Sequence, residues 1–205
     1  VELFVEELPP KALNKLGESF STTLADSLKA QGLVAADAKI EAFASPRRLA
    51  VHVSNVAAVA ADKPITLKLM PVNIALDANG EPTQALMKKL AGMGLDASIV
   101  PQLKRAPDGK AEALFHDSVV KGVALAEGLQ KALELALTGL PIPKVMTYQL
   151  ADGWSSVNFV RPAHKLVALH GADIVPISVL GLQAGRETLG HRFEAAVSPV
   201  VLENA

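Results

Sequence analysis

Apolar residues recur along this chain in two periods, and the switches between them mark its elements. Leu13, Leu16, Phe20, Leu24 and Leu28 fall three or four apart, the stripe of one helix face. Pro9 and Pro10 sit at its start, where a first helical turn tolerates proline, and Gly32 stops it. Residues 1–7 before it form a short apolar, β-branched run that predicts a buried strand. Residues 38–44, 47–54 and 65–70 predict three more strands. In the middle one, alternation puts Leu49, Val51 and Val53 on one face and Arg48, Ala50 and His52 on the other.

Asp77-Ala78-Asn79-Gly80 reads as a turn, after which Pro82 opens a short helix through Leu86 and Leu90. Strands 99–105 and 111–120 flank Pro107-Asp108-Gly109 and predict a hairpin. A second long helix is expected over 121–138, closed by Gly139 and Pro141, with short strands at 157–160, 165–170 and 174–180. The glycines of 181–193 predict a loop leading to another strand. Because strands and helices cluster instead of alternating, the expected fold is α+β, with mixed or antiparallel sheets and two long helices. Residues 1–205 are read as a single α+β domain.

Half of the 205 residues are apolar, which supplies a core and excludes disorder as the main state. Twenty Lys and Arg balance 21 Asp and Glu, so a polybasic nucleic-acid module is excluded while a local basic patch is not. No cysteine is present, which removes disulfide scaffolds, thiolate zinc sites and cysteine nucleophiles and fits a reducing cytoplasm. The longest apolar run, Val56 to Ala61, falls far short of the roughly twenty residues a membrane helix needs. The chain opens on Val1 directly into strand-like sequence, with no signal peptide, and reads as a fragment of a longer protein.

Known catalytic patterns are missing. Gly181, Gly185 and Gly190 do not form a dinucleotide loop, and no Gly-Lys-Ser/Thr, HExxH or Gly-x-Ser-x-Gly occurs. The five histidines are not spaced as metal ligands, although His164 and His170 could approach each other in a sheet. Glu6-Glu7 is read as charge favouring a helix N-terminus, and Asp152 and Asp173 as turn formers. No catalytic residue, metal or cofactor is therefore assigned.

The unusual sequence lies in short blocks joining rigid backbone to basic side chains: Glu6-Glu7-Leu8-Pro9-Pro10-Lys11-Ala12-Leu13, Pro46-Arg47-Arg48-Leu49-Ala50, Leu140-Pro141-Ile142-Pro143-Lys144, Phe159-Val160-Arg161-Pro162-Ala163-His164 and Gly190-His191-Arg192-Phe193. In this order they resemble the N-terminal part of the β subunit of bacterial heterotetrameric glycyl-tRNA synthetase. Two departures stand out: Phe4-Val5 where the family usually has Gly-Thr, and Met146-Thr147-Tyr148 where it has Met-Arg-Trp. The resemblance implies a fold similar to a β-subunit module of phenylalanyl-tRNA synthetase. It also implies a non-catalytic part of a glycine–tRNA ligase, with ATP and Mg handled by the α subunit. The implied partners are the α subunit, the remainder of the β subunit and tRNA(Gly).

Candidate RNA- or interface-binding residues are Arg48, Lys144, Arg161, His164, His191 and Arg192. Alternation turns Arg47 toward the core edge, where it needs a carboxylate, and leaves Arg48 for RNA or solvent. Pro141-Ile142-Pro143 holds Lys144 out on an extended segment. Arg161 is read either as a bidentate phosphate ligand or as one half of a carboxylate brace. Three roles stay open: contact with tRNA, a docking scaffold without RNA contact, and an editing-like small-molecule pocket.

Overall fold

The computed structural model describes residues 1–77, 79–109, 111–191 and 193–205. Two compact units make up the chain: residues 1–61 with 122–205, and residues 62–121 inserted between them in sequence. The first unit begins with β1 (Glu2–Val5), α1 (Leu13–Ala30), β2 (Ile40–Ser45) and β3 (Arg48–Val53). The inserted unit runs β4 (Lys63–Pro71), α2 (Val72–Ala75), α3 (Gln84–Gly92), a 3-10 helix (Ala97–Gln102), β5 (Lys104–Asp108) and β6 (Ala111–Val120). The first unit resumes with α4 (Leu125–Thr138), β7 (Met146–Gln149), β8 (Ser156–Phe159), β9 (Ala163–Val167), β10 (Leu169–His170) and β11 (Asp173–Ile174). It ends with β12 (Ser178–Val179), β13 (Leu182–Gly185), β14 (Glu187–Thr188) and β15 (Val200–Val201). This is an α+β fold with mixed and antiparallel sheets.

In the first unit a six-stranded sheet has the order β12-β13-β9-β1-β3-β2. β1 sits at its centre, antiparallel to both β3 and β9, while β13 runs parallel to β9. Leu3 pairs with Leu49 and with Leu166, and these buried side chains face α1 and α4 in one core. From α1 that core receives Leu16, Phe20, Leu24 and Leu28, the stripe expected from sequence. Gly32, at φ 77°, ends the helix: its N–H donates to Lys29 O and that of Leu33 to Leu28 O, so the last carbonyls stay satisfied. Pro9 and Pro10 form a turn ahead of the helix instead of its first turn, their carbonyls accepting from Ala12 N and Leu13 N.

Several expectations need correction. α4 starts at Leu125, four residues later than expected, because Leu125 N and Ala60 N bond to Ala58 O and Val123 O and hold residues 122–124 extended. Segment 97–102 is a 3-10 helix, not the front of a strand, since Asp96 Oδ1 accepts from Ser98 N at 2.9 Å and starts a turn. Segment 181–193, expected as a loop, contains β13 and β14, and β7 pairs with β8 where no strand was foreseen at 146–149.

In the inserted unit β4-β6-β5 form an antiparallel sheet whose core is Leu69, Ala75, Leu86, Leu90, Ile99 and Leu114. The Thr83 hydroxyl accepts from Leu86 N and caps α3, so Pro82 precedes the cap and does not open the helix. Asp77 Oδ1 accepts from Asn79 N in the expected turn, of which Ala78 lies outside the described residues. No helix among the described residues is long and apolar enough to cross a membrane.

Candidate functional site

The face of the six-stranded sheet turned away from the helices collects three of the six candidates, Arg48, His164 and His191. Period-2 alternation in β1 sends Leu3 and Val5 to the core and Glu2 and Phe4 to this second face. Pairing sets Arg48 and Lys165 on either side of Phe4. Phe4 is only 5% exposed, because two guanidinium groups lie over it: Arg47 at 5.1 Å and Arg48 at 5.6 Å from the ring centroid. A planar, weakly hydrated guanidinium covers an aromatic face with little desolvation cost.

Each cation here meets a carboxylate. Arg48 Nε lies 3.0 Å from Glu2 Oε2, facing it as a charge without a directed N–H bond. Its Nη2 donates to Leu189 O at 2.6 Å and to Thr188 Oγ1 at 3.3 Å, and the Thr188 hydroxyl donates to Glu2 Oε1. Arg47 Nη2 donates to Glu6 Oε1 at 3.3 Å, and His164 Nε2 lies 2.8 Å from the same oxygen. Lys165 Nζ donates to Glu187 Oε2 at 2.8 Å. Three permanent cations thus meet three carboxylates, and Arg48, Lys165 and the Thr188–Glu2 bond tie the segment at 187–189 to β3, β9 and β1.

Arg47 finds the carboxylate expected of it, Glu6, but it precedes β3 and lies with Arg48 over Phe4 instead of turning to the core edge beside Leu49. Arg48 is not left for solvent, however, since the returning β14 segment covers it. Next to the pair is a cleft of about 410 Å³ lined by Phe4, Arg47, Arg48, His191 and Phe193, among others. His191 Nδ1 is 3.9 Å from Glu194 Oε2, and its ring meets Phe193 edge-on at 6.2 Å. Arg192 lies outside the described residues.

The remaining candidates are elsewhere in the first unit. Arg161 forms a brace, but to carbonyls instead of a carboxylate: Nε donates to Glu7 O and Nη1 to Val160 O, both at 3.0 Å, and Nη1 also reaches Met146 Sδ. Lys144 is exposed and makes no hydrogen bond or ion pair among the described residues. His170 Nε2 bonds to Val56 O at 2.7 Å, so it does not join His164. Among the described residues no three His, Asp or Glu side chains group as metal ligands.

Sequence reasoning missed Glu2, Phe4, Thr188 and Glu187. The alternation of β1 carried a signal for Glu2 and Phe4. Nothing local marks Thr188, which lies 140 residues from Arg48.

A family model described as "Glycyl-tRNA synthetase beta subunit" matches residues 1–205. Among curated proteins, the chain is 73% identical to the glycine–tRNA ligase beta subunit of Leptothrix cholodnii, 70% to that of Dechloromonas aromatica and 64% to that of Thiobacillus denitrificans. Each similarity covers the whole chain and 29% of the relative, so the chain spans under a third of their length.

Proposed function

Because this chain belongs to the glycyl-tRNA synthetase beta subunit family, we propose that it is a non-catalytic, architectural domain of a cytoplasmic glycine–tRNA ligase. In this reading the α subunit activates glycine with ATP and Mg, and the β subunit handles tRNA(Gly). The sheet face described above organises the domain for the rest of the β subunit and the α subunit. Likeness to a β-subunit module of phenylalanyl-tRNA synthetase belongs to the same proposal.

The observation that carries it is the charge balance of that face. Arg47, Arg48 and Lys165 are each matched by Glu6, Glu2 and Glu187. RNA affinity grows with the number of phosphates that uncompensated cations neutralise. A face whose cations are already paired adds little to it, whereas the same pairs fix four chain segments together.

The test uses the full-length enzyme carrying Arg48→Ala. The domain should melt earlier and the subunits associate more weakly, while the slope of tRNA affinity against salt stays unchanged. A slope reduced by nearly one would assign Arg48 to a phosphate instead. In a parallel assay the 205-residue chain should support no glycine-dependent ATP–pyrophosphate exchange; exchange by it would place activation chemistry here.

A further inference from the structure

The β7–β8 hairpin combines features that the sheet face lacks. It holds the chain's one tryptophan, Trp154, in its turn, with the residue 91% exposed. The backbone beneath that ring is fixed. Asp152 Oδ1 accepts from Trp154 N and Ser155 N, both at 2.9 Å. Hydrogen bonds from the Ser155 hydroxyl and from these amides hold the Asp152 carboxyl below its ordinary range, so it stays an acceptor at neutral pH. Leu150 occupies the space where a side chain at Gly181 would go, 2.4 Å from that position, and so anchors the turn end of the ribbon. Tyr148 Oη accepts from Ala163 N at 3.2 Å on the strand behind it.

A large aromatic ring on a fixed turn loses little entropy when it binds. The charges around it indicate what it binds. Residues 143–162 contain three charged side chains: Lys144, Asp152 and Arg161. Asp152 is engaged by the turn, whereas Lys144 has no partner among the described residues and Arg161 meets only carbonyls and a thioether. Lys144 and Arg161 flank the same end of the ribbon, two residues outside β7 and β8, roughly seven residues or ~23 Å from Trp154 at about 3.3 Å per residue. Between them most exposed side chains are polar (Thr147, Gln149, Ser155, Ser156 and Asn158), with Val145 and Met146 the exposed apolar ones beside Lys144. A dry protein interface would want an apolar surface there, while a phosphate backbone suits uncompensated cations and hydroxyls.

We propose that this hairpin is an RNA-contact site: an unpaired base stacks on Trp154, and phosphates of the same strand lie on Lys144 and the open edge of Arg161. The site rests on the reading of the parent enzyme as a tRNA ligase, and it gives this domain a direct contact that its sheet face does not supply. Stacking suits any base, so the contact adds affinity and position without reading sequence.

The test measures tRNA(Gly) binding by full-length enzyme across a salt series for Trp154→Ala, Trp154→Phe and Lys144→Gln, with melting curves and sedimentation of each. Trp154→Ala should weaken binding about 5- to 150-fold, the worth of one stacked base. Trp154→Phe should keep binding within about threefold of wild type, because it retains an aromatic face. Lys144→Gln should lower the salt slope by somewhat under one. Wild-type binding by Trp154→Ala overturns the site and leaves the tRNA-ligase reading standing. Loss of binding that tracks subunit dissociation overturns it in favour of a protein contact. A wild-type enzyme that binds no tRNA(Gly) sinks both.

Discussion

Arg48 shows how a side chain aimed outward by strand alternation becomes structural. Its direction is set locally, but its partners come from both ends of the chain: Glu2 in β1 and Thr188 in β14. Direction was legible in the sequence because it needs only a period of two. Coverage was not, because it depends on a segment 140 residues away returning over the strand. Arg161 gives the same lesson: Pro162 holds it extended, yet which group it braces depends on where the Glu7 carbonyl lies. Arg48→Ala strips half the cover from Phe4 and leaves Glu2, 15% exposed, without its cation. Arg48 itself is 30% exposed, so the Coulomb part is screened and the cost is mainly the unpaired, poorly solvated carboxylate. The expected loss is about 1–3 kcal/mol by denaturant titration, with Arg48→Lys in between. Lys144→Ala should stay within about 0.5 kcal/mol. Equal losses at the two positions would show that the sheet-face brace carries no stability.

Among the elements, the long periodic ones were legible and the short ones were not. The stripe of α1 has one reading, and four of its five residues, Leu16, Phe20, Leu24 and Leu28, are buried, with Leu13 half-buried at the helix start. Ile99 and Val100 lie in a run as apolar and β-branched as a strand, but the Asp96 side chain caps Ser98 N and curls the chain into a 3-10 turn. β13 and β14, at four and two residues, are too short for a period to show, and β13 owes its place to parallel pairing with β9. Gly17 shows propensity and packing in opposition within one element. It lies inside α1, where alanine would gain about 1 kcal/mol of helix propensity. A Cβ there would sit 2.6 Å from the Cβ of Ala44 on β2, however. Moving a helix off a strand costs about 1–3 kcal/mol, more than propensity returns. Gly17→Ala should therefore lower the melting temperature, and a rise would mean that α1 can shift on the sheet at little cost.

For the whole molecule, the decisive feature is an insertion that the sequence does not announce. Neither Ala61-Asp62 nor Lys121-Gly122 lies in a Gly/Ser-rich linker, and the composition does not change there. The inserted chain closes on itself because Lys63 pairs with Val120 at the open end of the β4–β6 ladder. Its core of six buried residues shares none with the core built from α1, α4 and the six-stranded sheet. A unit of about sixty residues buries only some 60% of its unfolded surface and is stabilised by a small margin. Leu90 and Phe20, both 0% exposed, report on the two cores separately. Leu90→Ala should cost about 2–5 kcal/mol and Phe20→Ala about 3–5 kcal/mol. Against the smaller core, the first loss is the larger fraction of what holds the unit folded. Amide exchange should show it: Leu90→Ala should speed exchange across β4, β5 and β6 while α1, β1 and β9 keep their protection. Phe20→Ala should do the reverse. If Leu90→Ala instead accelerates exchange equally in α1 and β6, the two cores open as one cooperative unit and the division into separate folding units is wrong.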